Sequence, residues 1–252
     1  MDILFGVQIS SWNAQGDFRR KKDYLAGMIS SELPNILLVQ EEGVPGGTGM
    51  DEDEEFKIGD VDYQCVIACT DSTAKIERCT TAIMVEKILL PHIRNFGCET
   101  KSVERPMCYV NMASGVRIAT VHAVANRRES IGAVKGFISY LDTCGQGADW
   151  ILMGDFNSVP WDYDVNQVQL QFNQEQIIQY QGSKKRNQKF CKLIADSQPT
   201  QGPAGTRRRY LDFAFTSDGH NFAVDGITNR MVHKARGVHC SDHNLIQLNV
   251  RI

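Results

Sequence analysis

No stretch of about 18 consecutive apolar residues occurs in this chain, so none of it reads as a membrane-spanning helix. Positive charge is not in excess. Lys plus Arg is 27 and Asp plus Glu is 30, a net charge of −3, which argues against a generally basic coat for nucleic acid. A local grip on a phosphate is still open to it. The common phosphate and metal signatures are missing: there is no Gly-x-x-x-x-Gly-Lys-Ser/Thr, no His-Glu-x-x-His and no EF-hand loop. Gly46-Gly47-Thr48-Gly49 lacks the third glycine and the following helix of a dinucleotide loop. The 8 cysteines, at 65, 69, 79, 98, 108, 144, 191 and 240, make no Cys-x-x-Cys pair and no zinc spacing. They read as reduced, buried small hydrophobes, or as one or two disulfides, which the even number permits. No Pro- or Ser-rich linker and no internal repeat interrupts the chain. Its opening, Met-Asp-Ile-Leu-Phe-Gly, has neither the basic stretch nor the apolar core of a signal peptide. The expectation is a cytoplasmic protein, or the mature form of a secreted one.

What is present suits a folded domain. Across 252 residues the hydrophobic share is 42%, enough for a sizeable core, and one domain over 1–252 is expected. Ile3 to Ile9 reads as a first strand, and residues 20–33 as a helix ended by Pro34. Ile36 to Val39 suits a buried strand, and residues 43–60 an acidic, Gly-rich loop. Strand-like runs follow at 63–69, 81–86, 107–113 and 116–121. Ile131, Val134, Phe137, Ile138 and Leu141 keep helical spacing, with Ser130 in front as the expected N-cap. Further strands are expected at 150–153, from Val168, at 211–216 and at 245–252, with a basic loop at 182–189. Many strands with few, well-separated helices predict an α/β fold of two packed sheets with helices outside.

Polar residues recur where these apolar runs end. Asn13 follows the first strand, Glu41 follows Ile-Leu-Leu-Val-Gln, and His122 follows Ile-Ala-Thr-Val. Asp155 and Asn157 follow Ile-Leu-Met-Gly, Asp212 lies in Tyr-Leu-Asp-Phe-Ala-Phe, and Asp242-His243 precede the last strand. Any one of these could be a turn residue, a surface acid or a satisfied core histidine. Their repetition points elsewhere, because burying a carboxylate costs several kcal/mol unless it is paired or binds metal. Ser241-Asp242-His243 is not a serine-hydrolase triad, since consecutive residues of an extended segment point to opposite faces.

Taken together, Trp12-Asn13-Ala14-Gln15-Gly16, Val39-Gln40-Glu41, Val121-His122-Ala123, Gly154-Asp155-Phe156-Asn157, Leu211-Asp212-Phe213 and Ser241-Asp242-His243 resemble the successive motifs of the endonuclease/exonuclease/phosphatase superfamily. Trp-Asn-x-Gln-Gly, Gln-Glu-x-Gly, the His-Ala-x-Ala-Asn of 122–126 and Arg105-Pro106 are similar to the catalytic subunits of cytolethal distending toxins. The resemblance implies a DNase I-like, four-layered α/β sandwich with two mainly antiparallel sheets. It implies a divalent metal, Mg²⁺ with Mn²⁺ or Ca²⁺ as alternatives, held by Glu41 and Asp242 with Asn13 nearby. Asp155 and Asn157 would position the attacking water and the phosphate oxygens, His122 and His243 would be the acid/base pair, and Asp212 would orient His243. Arg105 would hold the phosphate. DNase I has a Glu beside its first histidine; here residues 77–81 offer only Glu77 as an acid.

These residue types suit the chemistry. A phosphodiester is anionic and repels an attacking hydroxide, so hard oxygen ligands for Mg²⁺ and proton-transferring imidazoles are the expected tools. Arg207, Arg208 and Arg209 stand close before Asp212 and would form a DNA-facing rim; Arg127-Arg128 and Lys184-Lys185-Arg186 are further basic pairs and triplets. The expected function is a metal-dependent, toxin-like DNA endonuclease of little sequence preference. The alternative is a phosphoinositide phosphatase on the same fold. DNA is the expected partner, and toxin delivery subunits come with the resemblance.

Overall fold

The computed structural model describes residues 5–28, 33–43, 51–70, 80–100, 105–144, 148–163, 176–179, 190–196, 200–201, 209–218, 220–230 and 241–252. The first sheet is begun by β1 (Gly6–Asn13), β2 (Ile36–Gln40), β3 (Glu55–Ile58), β4 (Val61–Thr70) and β5 (Thr80–Glu86). The chain then builds a second sheet from β6 (Ile93–Glu99), β7 (Met107–Met112), β8 (Val116–His122), β9 (Asp149–Asp155), β10 (Gln176–Gln179), β11 (Phe190–Ile194) and β12 (Asp212–Ser217). It returns to the first with β13 (Ala223–Arg230) and β14 (Leu245–Arg251). The strand orders are β13-β14-β1-β2-β5-β4-β3 and β10-β11-β12-β9-β8-β7-β6. Two helices, α1 (Phe18–Met28) and α2 (Arg127–Cys144), lie outside the sheets.

Period-two alternation builds the layers. In β2, Ile36 and Leu38 join the core between the sheets, with Ile9, Ile118, Ile151 and Ile246. Leu37 and Val39 point the other way and meet Phe18 and Leu25 of α1. On the outer face of the second sheet, Val134, Phe137, Ile138 and Leu141 of α2 pack on Val121, Leu152, Phe213 and Phe215. The order helix, sheet, sheet, helix is the expected four-layered sandwich of the DNase I-like fold. Most strand pairs are antiparallel; β1 with β2 and β8 with β9 are parallel.

That pairing positions the site. In each sheet a central strand, β1 or β9, has one parallel and one antiparallel neighbour. The C-terminal ends of β1, β2, β8 and β9 therefore meet the N-terminal ends of β12 and β14 at one end of the sandwich.

Some details differ from the sequence reading. Residues 43–60 are not loop throughout: Glu55–Ile58 forms β3, paired antiparallel with β4. Ser130 is not an N-cap. Helix α2 starts at Arg127, and Asn126 Oδ1 accepts the Arg128 N–H at 3.1 Å, the capping contact. Ser130 lies inside the helix and its hydroxyl donates to the Phe156 carbonyl. β6, β10, β11 and β13 were not expected. The strand from Val168, the basic loop at 182–189, Gly46 to Gly49 and Glu77 lie outside the described residues. Cys65, Cys69, Cys98, Cys108 and Cys191 are free thiols. Among the described residues no helix is long and apolar enough to cross a membrane.

Candidate active site

Asn13 closes β1 and is buried. Its amide Nδ2 donates to Asp155 Oδ2 at 2.9 Å and to Glu41 Oε1 at 3.3 Å, while its Oδ1 accepts the Gln15 N–H at 3.0 Å. The loops after β1 and β2 are laced together: Ala14 N–H donates to Gln40 O and Gly16 N–H to Glu41 O. Buried Lys21 of α1 fixes the first of them, donating to Ala14 O at 2.6 Å. Glu41 has φ of 49°, a left-handed backbone that a non-glycine residue adopts only at a cost. That turn follows the last residue of β2 and sets the carboxylate inward.

His122 ends β8. Arg105 Nη1 lies 2.9 Å from its Nδ1. A guanidinium only donates, so Nδ1 is the acceptor and the proton of the neutral ring sits on Nε2. That Nε2 faces Glu41 Oε1 at 3.5 Å and Asp155 Oδ2 at 3.7 Å. Nδ1 of His122 is thus engaged by Arg105, while carboxylates face the other ring nitrogen.

Asp155, ending β9, is opposite Asp212, which opens β12. Burial pushes the Asp155 carboxyl up, and neighbouring Asp212 adds to this; His243, His122 and the Asn13 amide oppose it. Asp155 Oδ1 accepts the Asn157 N–H at 2.9 Å, and Asn157 Nδ2 donates to Ala123 O at 2.8 Å, so Asn157 ties the loops after β9 and β8. Asp212 Oδ2 lies 2.9 Å from His243 Nδ1, a buried Asp–His pair. The other ring nitrogen, Nε2, is 3.7 Å from Asp155 Oδ2. Burial alone would lower His243, but the charges of Asp212 and Asp155 outweigh it and raise the imidazole to about 10. His243 is therefore an imidazolium at neutral pH, with its Nε2–H aimed into the site.

Asp155 Oδ2 is thus the hub, touched or faced by Asn13, His122 and His243. Asp155, Asp212 and His243 also converge with one ligand atom each within 4.8 Å of one another. The donors fit a hard divalent cation best beside Glu41 and Asp155. Two carboxylates are drawn together there by one amide, and burial leaves Asp155 in need of positive charge.

Asp242 is placed differently. Its carboxylate accepts Gln15 Nε2 and, at 3.2 Å, Gln201 Nε2, and its Oδ1 lies 3.7 Å from His243 Nε2. It is more exposed than the hub. Arg209 pairs with Gln201, and Gln201 bridges to His243, so the last arginine of the 207–209 tract is exposed beside the site. Arg207, Arg208 and Lys184 to Arg186 lie outside the described residues.

Sequence reasoning missed the residues that hold these groups. Thr200 Oγ1 accepts the N–H of both Leu211 and Asp212 at 2.9 Å, fixing where β12 begins. Ser241 donates to Asn13 O at 2.5 Å and accepts the His243 N–H at 3.0 Å, locking the last motif to the first. Gln40 Nε2 crosses between the sheets to Thr120 Oγ1 at 2.8 Å. Gln40 and Ser241 stood inside the motifs and could have been found there; Thr200 carried no signal.

Comparisons with known proteins bear on the family and the fold. Residues 10–243 match the Endonuclease/Exonuclease/phosphatase family, a span that takes in every group named above. Among solved structures, CdtB, the biologically active subunit of Cytolethal Distending Toxin, superposes with a TM-score of 0.58 at 19% identity, covering 96% of both chains. The cytolethal distending toxin from Actinobacillus actinomycetemcomitans gives 0.57 at 15% identity, covering 96% of this chain and 97% of that one. A humanized D. rerio TDP2 gives 0.61 at 14% identity, covering 98% and 99%. At these identities the likeness establishes the fold. No curated protein sequence matches the chain.

Proposed function

The chain belongs to the endonuclease/exonuclease/phosphatase family, whose members are metal-dependent phosphoesterases, and from that premise we propose that it hydrolyses phosphodiester bonds of DNA as a toxin-like endonuclease. One observation carries the reading. The Nε2 atoms of His122 and His243, borne by different sheets, both lie 3.7 Å from Asp155 Oδ2. Donors gathered from two sheets around one oxygen suit a phosphate, which must be gripped on several sides while water attacks.

Glu41 and Asp155, with Asn13 beside them, would hold a divalent cation such as Mg²⁺, which neutralises phosphate charge and stabilises the charge that builds up in the transition state. Asp155 would position the attacking water, whose proton passes to bulk solvent. His243, charged and oriented by Asp212, donates its Nε2 proton to the leaving oxygen. His122 donates from Nε2 to a phosphate oxygen, its tautomer fixed by Arg105, whose planar fork also grips the phosphate. Asn157 keeps Asp155 aimed. The exposed Arg209 beside Gln201 and His243 supports a polymeric substrate, because a long row of phosphates rewards cations at the rim.

The test is supercoiled plasmid with purified protein, Mg²⁺ and, in parallel, EDTA, alongside phosphate release from phosphoinositide head groups. Nicking that needs the metal, with no head-group turnover, is the expected result. Head-group turnover without nicking would replace DNA by the phosphatase reading.

A further inference from the structure

Away from the hub, three thiols from both sheets meet in one place. The sulfurs of Cys69 on β4, Cys98 on β6 and Cys108 on β7 all lie within 4.8 Å of one another. Cysteines acting as small hydrophobes are found singly in a core, as Cys65 and Cys191 are here. Here Cys98 and Cys108 are direct partners in the β6–β7 ladder, and Cys69 reaches them from the opposite sheet.

We propose that Cys69, Cys98 and Cys108 form a thiolate site for one thiophilic cation, either Zn²⁺ with a water as fourth ligand or three-coordinate Cu(I). Three metal–sulfur bonds of about 2.3 Å set their sulfurs about 4 Å apart, so the trio closes on a cation with shifts below roughly 1 Å. Soft sulfur ligands select such cations over Mg²⁺, which keeps this site chemically separate from the carboxylates at the hub. A disulfide would use two of the sulfurs and strand the third; a cation uses all three. Cys108 is fully buried, while Cys69 and Cys98 are half-buried, so the cation enters from their side. Among the described residues no carboxylate or imidazole joins the group within the same 4.8 Å.

The site is placed to matter. Cys69 lies opposite Thr81, and Thr81 opposite Gln40, two strands across from the residue before Glu41. Cys108 lies opposite Thr120, and its Sγ contacts Thr81 O at 3.3 Å. Arg105, in contact with His122, stands two residues before β7 begins and three before Cys108. A cation joining β4 to the β6–β7 pair would tie the sheets together beside the Arg105–His122 contact. The proposal stands independently of the reaction at the hub.

The test is titration of the reduced full-length chain with Co²⁺, followed by thiolate-to-cobalt charge-transfer absorption, and X-ray absorption on the Zn²⁺- and Cu(I)-loaded forms. A band saturating at a single equivalent is expected, with three sulfur neighbours, plus one light atom for Zn²⁺ and none for Cu(I). Co²⁺ held by oxygens at Glu41 and Asp155 gives no such band. Cys69→Ser and Cys98→Ser should each weaken binding at least about tenfold, and Cys191→Ser should leave it unchanged. Absence of the band in folded protein overturns the site, as does a band that survives both serine variants. Peptide mapping of the protein before reduction that finds a disulfide between any two of Cys69, Cys98 and Cys108 would equally overturn it.

Discussion

Replacing Asp212 by Asn tests the buried Asp–His pair directly. His243 sits at about 10 instead of its ordinary 6.5, in spite of burial that works the other way. Each tenfold in proton affinity is worth about 1.4 kcal/mol, so the whole rise corresponds to at most roughly 5 kcal/mol of folded-state stability. Asp155 supplies part of it, and breaking a buried pair costs about 3–5 kcal/mol, so a loss of about 3 kcal/mol is expected for Asp212→Asn near neutrality. The sign follows from which state binds the proton more tightly. The raised imidazole adds stability that is fully present below its unfolded pKa and disappears as pH climbs through about 10. The gap between the two proteins should therefore be largest near pH ~6 and should close towards pH ~10. Urea unfolding in EDTA across that range, with unchanged m-values, measures it. A gap that does not vary with pH would refute the charge pairing and leave Asp212 as a packing residue.

Three further outcomes are expected. Glu41→Gln keeps the shape and removes a charge, so Mg²⁺ dependence and activity should fall together, and calorimetry showing undiminished metal binding would move the ligand elsewhere. Replacing Arg207, Arg208 and Arg209 by Gln should flatten the salt dependence of plasmid nicking while sparing a small chromogenic phosphodiester; equal losses on both would put an arginine at the scissile phosphate. Gly154→Ala should destabilise by at least about 1–3 kcal/mol, because the new Cβ drives into the Val121 carbonyl of the neighbouring strand; an unchanged thermal midpoint would mean that β8 and β9 separate easily.

The parts of the fold that could be read from the chain are those buried on both faces. β2 and β9 are continuous apolar runs, and the two helical stripes belong to α1 and α2. The strands that escaped lie mostly at the rims. β3 and β13 end the first sheet, and β6 and β10 end the second. Edge strands face solvent on one side and carry polar residues to blunt unpaired edges, so Glu-Phe-Lys-Ile or Ala-Val-Asp-Gly-Ile-Thr-Asn-Arg lacks the apolar signature. The site was legible because its polar residues interrupt the ends of apolar runs. What the chain could not show was pairing in space: that Arg105 takes His122 Nδ1, that Asp242 is engaged by Gln15 and Gln201, and that Thr200 anchors Asp212.

β14 pairs with β1, and that closure has a consequence for the life of the chain. Asn13, made early, waits for Ser241 and His243, made more than two hundred residues later, before its carbonyl and its neighbourhood are complete. On a ribosome, residues 1–240 therefore emerge without the imidazole that Asp212 holds and without a partner for one side of β1. Pairings so distant in sequence form slowly and late. A site built this way is assembled only when the strand from Leu245 docks against β1, so its completion is the last step that the order of the chain allows.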